Sequence, residues 1–149
     1  MIIAVGDPSG STTRFDVGML LVQWGRRMWT FPEVLLSPGD EITVYMRGQE
    51  ARKPFVISKT QFAAQVWGDA LEARQLTEHY LGTLVLSRLE LAVLGLRCLY
   101  RRETTQYLAG DQAYALMGLL RMRPEVDKTD SPFQAFARSV HFQSKRHST

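Results

Sequence analysis

The sequence has very little of what disulfide-linked and metal-binding proteins need. Its 149 residues include one cysteine and three histidines. The single cysteine, Cys98, leaves no intrachain disulfide and no cysteine-based metal cluster, and its apolar surroundings predict a small buried side chain. The histidines are His79, His141 and His147. They lack the spacing of metal ligands. We therefore predict no metal site.

The sequence also lacks an uninterrupted apolar run of membrane-spanning length. Residues 81–100 are long enough to cross a bilayer, but Arg88, Glu90 and Arg97 interrupt them. The apolar start, residues 1–5, is shorter than a signal-peptide core and has no basic leader. We therefore expect an intracellular, cytoplasmic protein without a membrane span.

There is no strong excess of charge of either sign. The 18 basic and 15 acidic residues give a net charge of +3. The basic residues are scattered, and they do not interleave with aromatic residues in an RNA-binding pattern. We therefore predict no binding to nucleic acid. The length and the 45% hydrophobic content are those of one globular domain with a core of its own.

The periodicity of the apolar residues predicts a helix-rich α/β fold with two or three short strands. Residues 41–47 alternate apolar and polar positions and 54–57 form a second apolar run, so both are predicted strands. Residues 17–24 are typical of a short helix or a buried strand. Ser58 and Gln61 have capping-box spacing at the start of a further helix. Composition marks an N-terminal loop segment (1–16) and a polar tail (141–149), with residues 17–140 between them.

Residues 81–100 give the clearest helical pattern in the sequence. Leucine, valine and alanine recur there at helical spacing, and the polar side is narrow. We expect such an apolar helix to be mostly buried, either in the core or against a partner. Arg101, Arg102 and Glu103 are predicted to end it near solvent, with positive charge suited to a helix C-terminus.

Residues 26–38 contain the most informative acidic residue of the chain. Thr30 and Glu33 have the spacing of a capping box, with Pro32 in the first turn of the predicted helix. Glu33 also follows Trp29 and two arginines, Arg26 and Arg27. An acid in this setting can be a helix cap or a catalytic group, and the spacing alone favours the cap.

Residues 27–38, with the sequence R-M-W-T-F-P-E-V-L-L-S-P, resemble the R-G-W-T-L-Q-E-L-L-A-P segment of the fungal heterokaryon-incompatibility (HET) domain. Residues 110–119, G-D-Q-A-Y-A-L-M-G-L, are similar to that family's D-K-V-Y-A-L-L-G-L segment. The two segments occur in the family's order. In the second one, the residues themselves predict that Asp111 caps a helix and that Tyr114 packs while its hydroxyl finds a partner.

The resemblance implies a fold and a possible reaction. The HET domain is similar to the TIR fold, whose NAD-cleaving members carry a W-C-x-x-E segment with a catalytic glutamate. Trp29 and Glu33 have the same spacing, so the resemblance implies that Glu33 could be catalytic, with NAD as a possible substrate. Trp29 would then line the pocket and Arg27 would bind a phosphate; the alternatives are a core tryptophan and a solvated arginine.

The resemblance covers residues 17–140 and implies an incomplete three-layer, TIR-like domain, because no segment before Trp29 matches the family's W-I-D-x-x-C-I motif. Three functions follow from it. The first is a HET-like protein or fragment in self/non-self recognition and regulated cell death, acting through a protein partner or self-association. The second is a NAD glycohydrolase centred on Glu33. The third is an inactive remnant of a truncated gene, so enzyme activity stays open.

Overall fold

The computed structural model of the chain describes residues 1–6, 17–46, 53–103, 110–122, 129–131, 133–135 and 137. Most of the predicted N-terminal loop, Arg47 and the predicted polar tail lie outside these residues. So do two of the three histidines, His141 and His147. None of the helices in the described part of the chain is long and apolar enough to cross a bilayer.

The described elements confirm a helix-rich α/β fold with three short strands. In chain order they are β1 (Ile2–Val5), α1 (Val17–Gly25), α2 (Thr30–Leu36), β2 (Glu41–Met46), β3 (Phe55–Ser58), α3 (Lys59–Val66), α4 (Ala70–Tyr80), α5 (Arg88–Tyr100) and α6 (Asp111–Leu119). Residues 17–24, which suited either a helix or a strand, are helical. Residues 2–5, which the sequence placed in a loop segment, form β1.

The strands make one mixed sheet in the order β1-β2-β3. β1 is parallel to β2, with Ile3 opposite Val44, and β2 is antiparallel to β3, with Ile42 opposite Ile57. One face is apolar and buried; it carries Ile3, Val5, Ile42, Val44 and Ile57. The helices α1 and α3 pack on the edge strands β1 and β3.

The opposite face of the sheet is open. Its side chains include Ile2, Tyr45 and Val56, all of which are exposed. A three-layer arrangement would cover both faces with helices. In the part of the chain that the structure describes, only one face is covered, so the predicted third layer is not observed there.

The remaining helices form a bundle beside α1 and α3. α4 packs on α3 and α5, α6 packs on α5, and α2 contacts both α4 and α6. A chain of edge-to-face aromatic contacts connects α1, α3 and α2; it leads from Trp24 to Phe62, Trp67 and Phe31, with ring centroids 4.8–5.9 Å apart. Such contacts contribute beyond the burial of apolar area.

The predicted helix over residues 81–100 is wrong in its first part. α4 ends at Tyr80, Gly82 has a φ of +81°, and α5 starts only at Arg88. The physical reason is local: the Ser87 hydroxyl accepts from the Glu90 N–H at 3.2 Å, and the Glu90 carboxylate accepts from the Ser87 N–H at 2.7 Å. This capping box starts a new helix. The predicted box at Ser58 and Gln61, which starts α3, is confirmed.

Candidate functional site

The site is built on the tight turn that joins α1 to α2. The Thr30 hydroxyl donates to the carbonyl of Arg27 at 2.7 Å, and the Trp67 indole N–H donates to the carbonyl of Gly25 at 3.0 Å. A Cβ at Gly25 would lie 2.2 Å from a Val66 methyl group. Only glycine therefore lets α1 approach α3 this closely. The result is a fixed turn that presents residues 27–29 at the start of α2.

The predicted capping box at Thr30 and Glu33 is wrong. Thr30 is the first residue of α2, and its hydroxyl is directed back at the turn rather than at the Glu33 N–H. The Glu33 N–H donates instead to the carbonyl of Trp29 at 3.3 Å. The Glu33 side chain is exposed, and within the described residues its carboxylate makes no hydrogen bond or ion pair. It is therefore not explained as a helix cap.

Helix α6 supplies the second half of the site. The Trp29 indole N–H donates to Asp111 Oδ2 at 3.1 Å, and the Asp111 side chain is buried. Gly110, not Asp111, is the N-cap residue of α6, so the predicted capping role of Asp111 is wrong. The prediction for Tyr114 is confirmed: it is buried, and its hydroxyl donates to Asp130 at 2.5 Å.

These contacts enclose a cavity of about 340 Å³. The structure brings all three residues of the predicted site, Arg27, Trp29 and Glu33, to its wall. Asp111 and Glu103 complete its polar lining. Glu103 reaches the site because its backbone pairs with the α1–α2 turn: its carbonyl accepts from the Met28 N–H at 3.0 Å, and its N–H donates to the Arg26 carbonyl at 3.0 Å.

Arg27 also lines a second cavity, of about 370 Å³. It is formed by the carboxyl end of β1, at Val5 and Gly6, and by Gln23 and Trp24 of α1. The Arg27 guanidinium lies 6.0 Å from the centroid of the Trp24 ring. Arg27 thus lines both cavities, so its exposed cation can reach a ligand in either.

A buried ion pair lies behind the turn. Arg102 donates to both carboxylate oxygens of Asp69, at 2.8 and 3.0 Å, and its guanidinium stacks on the Phe31 ring with its carbon 3.8 Å from the centroid. Both side chains are almost fully buried. The prediction that Arg102 ends its helix near solvent is therefore wrong. A charged pair of this kind is a structural centre, because removal of one partner leaves an uncompensated buried charge.

The same ion pair faces Cys98. The Arg102 guanidinium also donates to the Cys98 carbonyl. Burial, followed by the charge and hydrogen bond of Asp69, raises the pKa of the Cys98 thiol well above its ordinary value. Cys98 is thus a protonated, buried side chain, as its apolar sequence context predicts, and not a nucleophile.

The lining of the first cavity suits a ligand with a cationic or aromatic part. Three acidic residues, Glu33, Glu103 and Asp111, line the cavity together with Trp29, whose exposed fraction is 42%. Carboxylates stabilise developing positive charge, and the face of an indole attracts cations. No group of three or more histidine, cysteine, aspartate or glutamate side chains in the described ranges is arranged to hold a metal ion.

Sequence reasoning missed Asp111 and Glu103 as parts of this site. Asp111 carried a signal, because it opens the second segment of the resemblance, but its spacing suggested only a helix cap. Glu103 carried none, since it is brought to the turn by a backbone pairing between residues far apart in the chain.

No protein-family model, curated protein or solved structure matches this chain.

Proposed function

We propose that this chain is a HET-like protein of the self/non-self recognition and cell-death type, which acts through protein association. The observation that carries the proposal is the contact between the two segments on which the resemblance rests. They lie more than 70 residues apart in the sequence, yet α2 packs on α6. The Trp29–Asp111 hydrogen bond joins the tryptophan of one segment to the aspartate of the other.

The surface of the molecule supports the association part of this proposal. Large apolar side chains are exposed on α5 and on the open face of the sheet. In addition, β1 and β3 are the outer strands of the described sheet. Contiguous exposed apolar groups and unpaired strand edges are features of surfaces that bind other proteins.

Induced expression in a filamentous fungus tests the proposal. We expect the wild-type chain to arrest growth, and we expect Trp29→Phe combined with Asp111→Ala to weaken this effect at equal protein level, because the contact between the two segments is lost. Glu41→Gln, a change on β2 away from the site, is the matched control. Growth equal to that with an empty vector would mean that the chain has no cell-death function and would favour the inactive remnant.

A second candidate function, cleavage of the nicotinamide glycosidic bond of NAD, is favoured by the cavity. The carboxylate of Glu33 would stabilise positive charge on the ribose as the bond to nicotinamide breaks. The Trp29 ring would stack on an aromatic base, and the Arg27 guanidinium would pair with a phosphate. Glu33, Trp29 and Arg27 line one cavity of sufficient volume for part of a nucleotide.

Nicotinamide release from NAD by the purified chain tests this candidate. We expect Glu33→Gln to lower the rate at least about 100-fold, as loss of a single electrostatic stabiliser does in other enzymes. The control is Glu41→Gln, which removes an exposed carboxylate outside the cavity and should leave the rate unchanged. Equal background rates for the wild type and both variants would reject NAD cleavage while leaving the association proposal intact.

A further inference from the structure

One face of α5 is apolar and exposed along its whole length. Leu89, Val93, Leu96 and Tyr100 follow one another at intervals of four, three and four residues. Their exposed fractions range from 41% at Val93 to 82% at Tyr100. This spacing places the four side chains in one stripe on the helix, as in the contact seam of a coiled coil.

The stripe lies opposite the side of α5 that packs in the core. The buried residues Leu91, Gly95, Cys98 and Leu99 face α4 and α6. At 100° per residue, the centre of the exposed stripe is about half a turn away from them. No described element therefore packs on the stripe.

One flank of the stripe carries two opposite charges. Glu90 and Arg97 are seven residues apart, so they lie on the same side of the helix, two turns from each other. Both side chains are exposed. The other flank has Ala92 and the buried Leu99, and it carries no charge at the corresponding positions.

We propose that the stripe is a homodimer interface in which α5 packs antiparallel on α5 of a second copy of this chain. This inference rests on the proposed association and names the partner. In the antiparallel pair, Leu89 packs against Tyr100 of the second copy and Val93 packs against its Leu96. A two-fold axis passes through the middle of the stripe and repeats both layers.

The charges select the second copy as the partner and the antiparallel direction as its orientation. Between the Leu89 and Val93 layers, Glu90 of one chain stands beside Arg97 of the other, and the two-fold axis makes the same pair again. In a parallel pair each flank would instead meet the opposite flank, where Ala92 and Leu99 offer no charge. The surface is thus complementary to itself.

Sedimentation equilibrium from the low-micromolar to the millimolar range tests the interface. An interface this small has modest affinity, so the dimer should appear in or above the micromolar range. Glu90→Arg and Arg97→Glu should each weaken self-association about 10-fold or more, because like charges then meet twice. An equimolar mixture of the two variants should form a heterodimer, because both contacts become attractive again.

The controls separate the interface from effects on folding. Glu41→Arg and Lys53→Glu make the same charge changes on exposed residues near the sheet and should dimerise as the wild type does. Glu90→Gln keeps an oxygen for the Ser87 N–H and shows how much of any effect on self-association comes from the helix cap.

The apolar side chains have a control of their own. Leu96→Glu should abolish the dimer, whereas the same change at Leu71, an exposed leucine on α4, should not.

A wild-type chain that stays monomeric to the millimolar range would overturn the proposal. So would a dimer that neither charge swap weakens, since a different surface would then hold it together. The proposal and the cell-death function fail separately: a wild-type chain that is monomeric yet arrests growth rejects the α5 pair alone, whereas a wild-type dimer with no effect on growth rejects the function alone.

Discussion

At the scale of single residues, Trp29 is both exposed and held by a hydrogen bond. The residue is 42% exposed and lines the cavity, yet its indole N–H donates to the buried carboxylate of Asp111. An exposed aromatic side chain normally samples several rotamers. The hydrogen bond fixes the orientation of the ring, so Asp111 is a positioning residue for the wall of the cavity.

A double-mutant cycle measures this contact. We expect Trp29→Phe and Asp111→Ala to be coupled by about 1–2 kcal/mol in the free energy of unfolding, because the hydrogen bond has a charged acceptor. Urea unfolding of the two single variants and the double variant gives the coupling. In the matched cycle, Trp24→Phe with Asp111→Ala should be additive. A coupling near zero for Trp29 would mean that the bond does not hold the ring.

At the scale of secondary-structure elements, a hydrogen bond joins the end of α4 to the end of α6. The Tyr80 hydroxyl donates to the carbonyl of Leu119, which is the last residue of α6. Burial raises the pKa of Tyr80 from 10.0 to about 12, although the positive charge of Arg121 opposes this shift. The native structure therefore keeps the phenol protonated after the unfolded chain has lost that proton.

The raised pKa of Tyr80 predicts how the free energy of unfolding changes in alkaline solution. Between pH 10 and pH 12 the native state binds more protons than the unfolded state at this site, so the free energy of unfolding falls as the pH rises. The contribution of the protonated Tyr80 side chain to the free energy of unfolding is fully present below pH 10. Tyr80→Phe should lose about 1 kcal/mol at neutral pH and then decline less steeply in alkali. Urea unfolding at several pH values tests this.

The control for the alkaline experiment is Tyr45→Phe, on the open face of the sheet. It should keep the wild-type dependence on pH, since Tyr45 is exposed. If Tyr80→Phe followed the same slope as the wild type, another group would have to cause the alkaline loss of stability.

Some of these elements could be predicted from the sequence and others could not. Strands β2 and β3 and helices α2 and α3 were predictable because their signals are local: alternation, a capping box or a Ser-Pro-Gly stop. The Ser87–Glu90 box has the same kind of local signal, but the long apolar pattern around it favoured one continuous helix. Strand β1 carried too short a pattern, since its pairing with β2 is what makes it a strand.

For the site, the resemblance implied three residues that the structure brings to one cavity: Arg27, Trp29 and Glu33. It could not predict how they are held. The Trp29–Asp111 bond and the burial of Arg102 against Phe31 depend on contacts between distant parts of the chain. Periodicity and spacing carry no information on such contacts.

At the scale of the whole molecule, the buried Cys98 reports on cooperative unfolding. Its side chain is fully buried between α5 and its neighbours, and its raised pKa keeps the thiol protonated. In the native chain we expect reaction with Ellman's reagent to be slower than in urea by a factor on the order of 10³ or more, as the usual stability of a small domain implies.

The rate of this reaction should rise with urea in step with the loss of tryptophan fluorescence, because both follow opening of the same core. A fast reaction in the absence of urea would show that α5 detaches on its own. Leu71→Ala, which removes an exposed side chain from α4, should leave the reaction unchanged.

The mixed sheet also sets an order for assembly. The antiparallel pair joins residues 41–44 to residues 55–58, whereas the parallel pair joins residues 2–5 to residues 43–46. Closing the longer loop costs more chain entropy, so β2 and β3 meet early in folding and β1 adds to them later. During synthesis on a ribosome, β1 would therefore stay unpaired until β2 has been made. In unfolding, the β1 edge would be the first part of the sheet to separate.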